Sequence, residues 1–406
     1  MKKQVNKKIF LIVLIVLSAI SVSTGAAIVS SVPDQIILFE NQKLNIGRFY
    51  TFDIQTETGG IITDGELKND STYFADVKFA GFIPVKTVKV SVIEKTKLIP
   101  GGESIGIKLY TDGLMVVGVS DFETAEGQMA SPARNGGIKT GDIIKKVNGQ
   151  AVNDATALSD IVENNNGQQV TVDICRNGND IELKLKPMPD SKNKYKLGMW
   201  IRSSVAGIGT MTFYNPQTKT YGALGHGITD SDTNNVVPVG RGEVIPAKIT
   251  TIKKSEKGIP GELRGSFASE TGIGKVSVNN GCGIYGEVTD NSVFSGEAVE
   301  IASRDEVTEG KAYIETCING DEVDKFEIEI QRVSHFKNVE TKCMVIKITD
   351  PLLLEKAGGI LQGMSGSPIL QNGKLVGAVT HVFVNDPTTG YGIFIENMLA
   401  ESEKIR

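Results

Sequence analysis

Gly358-Gly359-Ile360-Leu361-Gln362-Gly363-Met364-Ser365-Gly366-Ser367-Pro368-Ile369 sets a serine among glycines directly before a strand-like run. A glycine two residues before a serine permits a sharp turn in which the backbone N–H groups of Gly363 and Ser365 point at one oxygen. Such donors stabilise the tetrahedral intermediate of acyl transfer. Small residues after Ser365 leave its hydroxyl accessible, and Pro368-Ile369-Leu370 reads as the start of a strand. Taken alone, the stretch fits a glycine-serine loop without chemistry equally well, and Ser367 is the second candidate nucleophile. There is no glycine two residues after Ser365, so this is not the Gly-x-Ser-x-Gly elbow of the α/β-hydrolases. A lipase or esterase reading falls back accordingly.

A serine nucleophile needs a base, and near neutral pH the base is most often histidine. The chain holds 3 histidines, His226, His335 and His381. His226 sits in Tyr221-Gly222-Ala223-Leu224-Gly225-His226-Gly227-Ile228, between glycines, where backbone packs closely. A third group, an acid, fixes the tautomer of such a base. Asp350 ends a strand-like run, Ile346–Thr349, and precedes Pro351; by local sequence it is equally an Asp-Pro turn starter. Asp230 and Asp232, close to His226, are its rivals. The order His226, Asp350, Ser365 is that of chymotrypsin-like proteases. His381 and Val382–Val384 follow the serine where such a fold places a wall of its specificity pocket, although a core histidine fits there too.

Outward from this region, Leu98 to Met188 has its own rhythm. Ser104–Leu109 and Leu114–Val119 read as strands, followed by Ser131-Pro132-Ala133 and Gly136-Gly137-Ile138-Lys139-Thr140-Gly141-Asp142. The strand Ile143–Val147 meets the turn dipeptide Asn148-Gly149. A helix is expected at Asp154–Asn164, capped by Asn153 or Asp154, and a strand at Gln169–Arg176. This order resembles a PDZ domain of the bacterial protease-associated kind. The resemblance implies that Ile105-Gly106-Ile107 receives a peptide C-terminus, the peptide adding a strand to the sheet. Before it, residues 30–96 alternate in short strands, Gln35–Phe39, Thr51–Ile54, Gly60–Ile62 and Val85–Glu94, forming a small β module.

At the N-terminus, Lys2, Lys3, Lys7 and Lys8 precede an apolar run, Ile9–Val29. As a helix it is long enough to cross roughly 30 Å of hydrocarbon. The basic flank, residues 1–8, is expected to stay in the cytoplasm, with the rest outside. A cleaved signal peptide is the alternative, with small residues at Gly25-Ala26-Ala27. A net charge of -5, without a dense Lys/Arg stripe, argues against a nucleic-acid partner. The 4 cysteines form no CxxC pair and no histidine lies at ligand spacing from them, so no metal and no cofactor is expected. Disulfides among them cannot be deduced from sequence, and isolated thiols are the expected state.

With these residues in view, the chain resembles the SpoIVB peptidase family of endospore-forming bacteria. The most specific stretches are Thr349-Asp350-Pro351, Gly363 to Pro368, and Gly377-Ala378-Val379-Thr380-His381-Val382-Phe383-Val384-Asn385-Asp386-Pro387. The resemblance implies His226, Asp350 and Ser365 as catalytic triad, favouring Asp350 over its rivals. It implies a mainly β chain: N-terminal membrane segment (9–29), small β module (30–96), PDZ domain (97–188) and chymotrypsin-like β-barrel serine peptidase domain (189–406). It further implies self-cleavage, and cleavage of a regulator bound to an intramembrane protease that processes a sigma factor. The setting would be the space between the two membranes around a forespore. The alternative is a PDZ-centred signalling scaffold whose peptidase domain is inactive.

Overall fold

The computed structural model describes residues 72–290, 294, 296–334 and 341–405, and, among the first 71, residues 28–29, 32–33, 35–40, 42, 44, 49–56, 61–62 and 67. The expected membrane segment Ile9–Val29 lies outside them except for its last two residues, and so does His335. Among the described residues no helix is long and apolar enough to cross a membrane.

Short apolar-polar alternations punctuated by turn residues make the chain mainly β. Its buried side chains gather into four clusters, the largest of which draws residues from several structural units. The N-terminal module is a sheet in the order Gln35–Phe39, Ile83–Ile93, Thr72–Phe79, Tyr50–Thr56, Ile61–Ile62. The strand Thr72–Phe79, which buries Tyr73, Ala75 and Val77, is an addition to the strands expected from sequence and is held by long pairings on both sides.

The next strand, β1 (Ser104–Val119), belongs to two units at once. Its Leu114-Met115 end pairs with β2 (Ile143–Val147). The helix α1 (Ala155–Asn164) is capped by Asp154, whose Oδ1 accepts from the Ala157 N–H at 2.8 Å. Strands β3 (Val170–Arg176) and β4 (Asn179–Leu185) form a hairpin closed at Asn177-Gly178. Leu114, Val116, Ile144, Leu158 and Val162 fill this unit's core. The chain then returns along β5 (Met199–Asn215), antiparallel to β1 from Met199↔Val119 to Thr210↔Ser104.

Beyond that return, β5 continues into a barrel. It pairs with β6 (Thr220–Ala223), and β6 with β9 (Gly283–Val288). β9 pairs with β8 (Gly274–Asn280), β8 with β7 (Arg241–Lys253), and β7 with the first half of β1, closing a ring of six strands. A second barrel closes through β10 (Gly310–Asn319), β11 (Glu322–Val333), β12 (Met344–Ile348), β15 (Asp386–Phe394), β14 (Lys374–Phe383) and β13 (Pro368–Gln371). The helix α2 (Pro351–Ala357) follows β12.

This topology corrects the expected placement of Ile105, Gly106 and Ile107. They pair with Gly209, Ile208 and Gly207 of β5 on one edge and with Pro246, Ile245 and Val244 of β7 on the other. Both edges are taken, so no peptide can add a strand there. The three residues belong to the first barrel, into which the PDZ-like unit is inserted between its first two strands. A linear division at residues 97, 188 and 189 misses this because one unbroken strand serves both units.

Inside the inserted unit, the Asp142 carboxylate is 1% exposed and accepts from Arg176 Nε at 2.6 Å, Arg176 Nη2 at 2.7 Å and the Lys139 N–H at 2.8 Å. Arg176→Met leaves that buried charge without its cation. The expected cost is about 2–3 kcal/mol, allowing for the partial exposure of Arg176. Amide hydrogen exchange should show lost protection in β2 and β3 and unchanged protection in the second barrel.

Candidate active site

Between the two barrels lies a cleft of about 500 Å³ whose lining includes Ser365, Gly363, His226, His381 and Ile107. Ser365, Gly363 and His226 arrive on loops, whereas His381 and Ile107 stand within strands. Ser365 lies in the turn from Leu361-Gln362 into β13. His226 follows β6, and His381 stands within β14.

The serine turn is held by its own backbone and by β5. The Met364 N–H donates to the Leu361 carbonyl at 3.1 Å, the Gly366 N–H to Val379 at 2.8 Å, and the Ser367 N–H to Met364 at 3.0 Å. Thr210 donates its hydroxyl to the Gly363 carbonyl at 2.8 Å and its N–H to the Ser365 carbonyl at 3.0 Å. Thr212 donates its hydroxyl to the Gly366 carbonyl at 2.7 Å. Among the described residues the N–H groups of Gly363 and Ser365 make no turn or loop hydrogen bond. Gly363 has φ 101° and Gly366 φ 97°, conformations that suit glycine. Ser365 Oγ donates to the Thr380 carbonyl at 2.7 Å, so its proton is engaged by that carbonyl and must leave it before a base can take it. Ser367 is fully buried and its hydroxyl donates to the Met364 carbonyl at 2.7 Å, which leaves Ser365 as the serine of the cleft.

His226 follows two consecutive left-handed residues, Leu224 at φ 69° and Gly225 at φ 66°. A non-glycine residue in that region costs of order 1 kcal/mol and persists only where its surroundings hold it. Here the Leu224 N–H donates to the Thr210 carbonyl at 3.3 Å. His226 Nδ1 lies 2.9 Å from the Gly227 carbonyl. A carbonyl can only accept, so this contact places the proton on Nδ1 and leaves Nε2 with its lone pair. Burial pushes the His226 pKa below its ordinary value, against the weaker opposing pull of that carbonyl. His381 stacks obliquely on His226, ring centroids 4.9 Å apart. Its residue keeps an exposed face, yet burial of the ring, followed by His226 and Lys342, pushes its pKa down to about 4. Two neutral imidazoles can share the cleft without repulsion.

Asp350 is placed elsewhere. Its Oδ1 accepts from the Leu352 N–H at 2.9 Å and the Leu353 N–H at 3.1 Å, capping α2, and its Oδ2 faces the Glu327 N–H at 3.4 Å. It makes no contact with His226 among the described hydrogen bonds, so the structure brings together two of the three expected triad residues. The local reading of Asp350-Pro351 as a helix or turn starter describes its geometry. Asp230 and Asp232 do not orient His226 either, because both pair with Arg202. Among the described residues no group of three or more His, Cys, Asp or Glu side chains is placed to hold a metal. The contact of His381 with the His226 ring, and the grip of Thr210 on the turn, were not read from sequence; scarcity of histidine was the only signal for the first.

Two six-stranded β-barrels with a serine, a histidine and a glycine-rich turn at their junction, and a PDZ-like unit inserted in the first, define the class. The chain belongs to the SpoIVB peptidase S55 family, whose profile matches residues 193–399. A PDZ-domain profile matches residues 125–176. A protein of Bartonella henselae named "Probable periplasmic serine endoprotease DegP-like" is 30% identical over 152 residues, 35% of this chain and 29% of that protein. The "Serine protease Do-like HtrA" of Lactobacillus helveticus is 44% identical over 55 residues, 13% of each chain. The chain thus spans less than a third of either relative's length. The Rv3671c protease of M. tuberculosis in its inactive form is similar over 49% of this chain and 84% of that one, at 14% identity and TM-score 0.28.

A Cβ on Gly366 would lie 2.1 Å from the Thr210 carbonyl oxygen and 2.5 Å from the Leu224 nitrogen. Gly366→Ala is therefore expected to displace the serine turn and the His226 loop together. Labelling of Ser365 by a fluorophosphonate should fall at least tenfold (on the order of the loss from misplacing a reacting group by 1 Å) while hydrogen-exchange protection in the PDZ-like unit is unchanged.

Proposed function

We propose that this chain is a serine endopeptidase in which Ser365 is the nucleophile and His226 the general base and then acid. The Gly363 and Ser365 N–H groups would form the oxyanion hole. The observation that carries this reading is the convergence of Ser365 and His226 on one inter-barrel cleft, beside a turn whose two candidate donors engage no turn or loop acceptor among the described residues. Family membership supports peptide-bond hydrolysis as the reaction.

In this reading the Gly227 carbonyl holds the Nδ1 proton, the task that a triad gives to its carboxylate. Asp350→Asn then acts through the helix cap alone. Labelling of Ser365 should stay within about threefold of wild type, with a stability loss of about 1 kcal/mol or less. A fall on the order of 10⁴-fold in kcat would instead return the role to Asp350.

The finer role follows the family resemblance. The protein would be exported, held at or near a membrane by its N-terminal segment, cleave itself, and cleave a regulator of an intramembrane protease during sporulation signalling. The PDZ-like unit supports protein substrates, including a second copy of the chain. The test compares an extracytoplasmic fragment with its Ser365→Ala form. Wild type should cleave itself and label with a fluorophosphonate, and Ser365→Ala should do neither. If wild type does neither, the PDZ-centred scaffold replaces the peptidase reading.

Because His226 must be neutral to accept the serine proton, its lowered pKa extends activity to lower pH. The acid limb of the kcat/KM profile should fall below pH 6.5, the ordinary histidine value, with activity lost as pH drops through it and retained above. A limb at or above that value would contradict the buried, carbonyl-held imidazole.

A further inference from the structure

We infer that Thr210 is a positioning residue for the oxyanion hole, setting the serine turn and the His226 loop in register from a single site on β5. The inference rests on the peptidase reading above. Three polar groups of this one residue are committed to the two loops. Its hydroxyl donates to the Gly363 carbonyl at 2.8 Å, its N–H donates to the Ser365 carbonyl at 3.0 Å, and its carbonyl accepts from the Leu224 N–H at 3.3 Å. Thr210 is fully buried, so water cannot replace any of these partners.

The geometry explains why these contacts bear on the chemistry. Peptide units are planar, so fixing a carbonyl fixes the N–H of the following residue. The Gly363 carbonyl fixes the 363–364 unit, and the Ser365 carbonyl fixes the 365–366 unit. Between them lies the 364–365 unit, which carries the Ser365 N–H, one of the two oxyanion donors. Thr210 therefore holds the unit on each side of that donor. At Gly363, φ 101°, the backbone alone imposes little preference, so the hydroxyl bond to its carbonyl is a constraint on the 363–364 unit. The residue type fits both tasks: a β-branched side chain suits a strand, and its hydroxyl supplies the donor.

β5 also enters the PDZ-like unit, where Met199–Arg202 pair with Met115–Val119 of β1. A residue that sets the active turn thus lies on a strand shared with the inserted unit, with no linker between them.

The test uses the full extracytoplasmic chain and a peptide substrate cleaved by wild type, with Thr210→Val and Thr210→Ser. Valine keeps the shape and removes the hydroxyl; serine keeps the hydroxyl. Thr210→Val should lower kcat by on the order of tenfold to a hundredfold, as expected for a disturbed oxyanion donor, with KM within about twofold. It should weaken a peptide aldehyde, whose hemiacetal oxygen occupies the same hole, by a similar factor. Thr210→Ser should restore most of both. A purely structural role would lower stability without moving the aldehyde affinity relative to that of the substrate. Wild-type kcat and aldehyde affinity in Thr210→Val, or a rise in KM alone, overturns the inference. If Thr210→Val does not fold, Thr210→Ser carries the test: kcat and aldehyde affinity within about threefold of wild type support the inference, and a larger fall in either overturns it. A wild-type chain that no fluorophosphonate labels defeats the peptidase reading instead, which is a separate outcome.

Discussion

The site depends on one accounting constraint: in a buried turn every backbone polar group must find a partner, except those reserved for a ligand. Around Ser365 the accounting comes close to completion. The carbonyls of Leu361, Gly363, Met364, Ser365, Gly366 and Ser367 all accept hydrogen bonds, and the N–H groups of Met364, Gly366 and Ser367 all donate them. The carbonyls of Gly363, Ser365, Gly366 and Ser367 and the N–H of Gly366 find their partners outside the turn, on β5 of the first barrel and Val379 of the second. The turn can hold its shape only while the two barrels are docked, so catalytic geometry and domain packing are one problem. Leu224 carries the same coupling to the histidine side, since its left-handed backbone is tied to β5 by the Thr210 carbonyl.

The electrostatics of the cleft follow from the same burial. With no carboxylate beside it among the described residues, a buried imidazole is more stable neutral, and His226 is displaced in that direction. His381, stacked on it, is displaced in the same direction, in part by the prospect of a second cation nearby. A carboxylate partner would pull the other way, stabilising the imidazolium. A neutral backbone acceptor such as Gly227 fixes the tautomer while leaving the base poised low.

Local chemistry was legible where a short-range rule decides structure. The turn at Asn148-Gly149, with φ 50° and 75°, the Asp154 cap and the strand Ile143–Val147 stand as read, because each is set by its own residues. The glycine context of Ser365 was likewise readable, since positive φ at Gly363 and Gly366 is a local demand. What was hidden is long-range. Nothing in Ile105-Gly106-Ile107 says that two distant strands, Gly207–Gly209 and Val244–Pro246, will occupy both its edges. Asp350 carries two compatible local meanings, and only the fold shows that it caps α2 and makes no contact with His226 among the described residues. Thr210 looks like any strand threonine until the serine turn is laid against it.

Insertion has a mechanical consequence that a linear arrangement lacks. Domains joined by a linker move independently, because few contacts cross the boundary. Here two antiparallel strands cross it, paired from Met199↔Val119 to Thr210↔Ser104 with irregularities only near Trp200 and Arg202. A twist or shift of that ribbon in the inserted unit cannot be absorbed by a flexible segment; it is either resisted by the ladder or passed along it. At the far end of the ribbon stand the residues that hold the serine turn. The separate core of the inserted unit lets it keep its own shape, while the shared strands make that shape a boundary condition on the cleft.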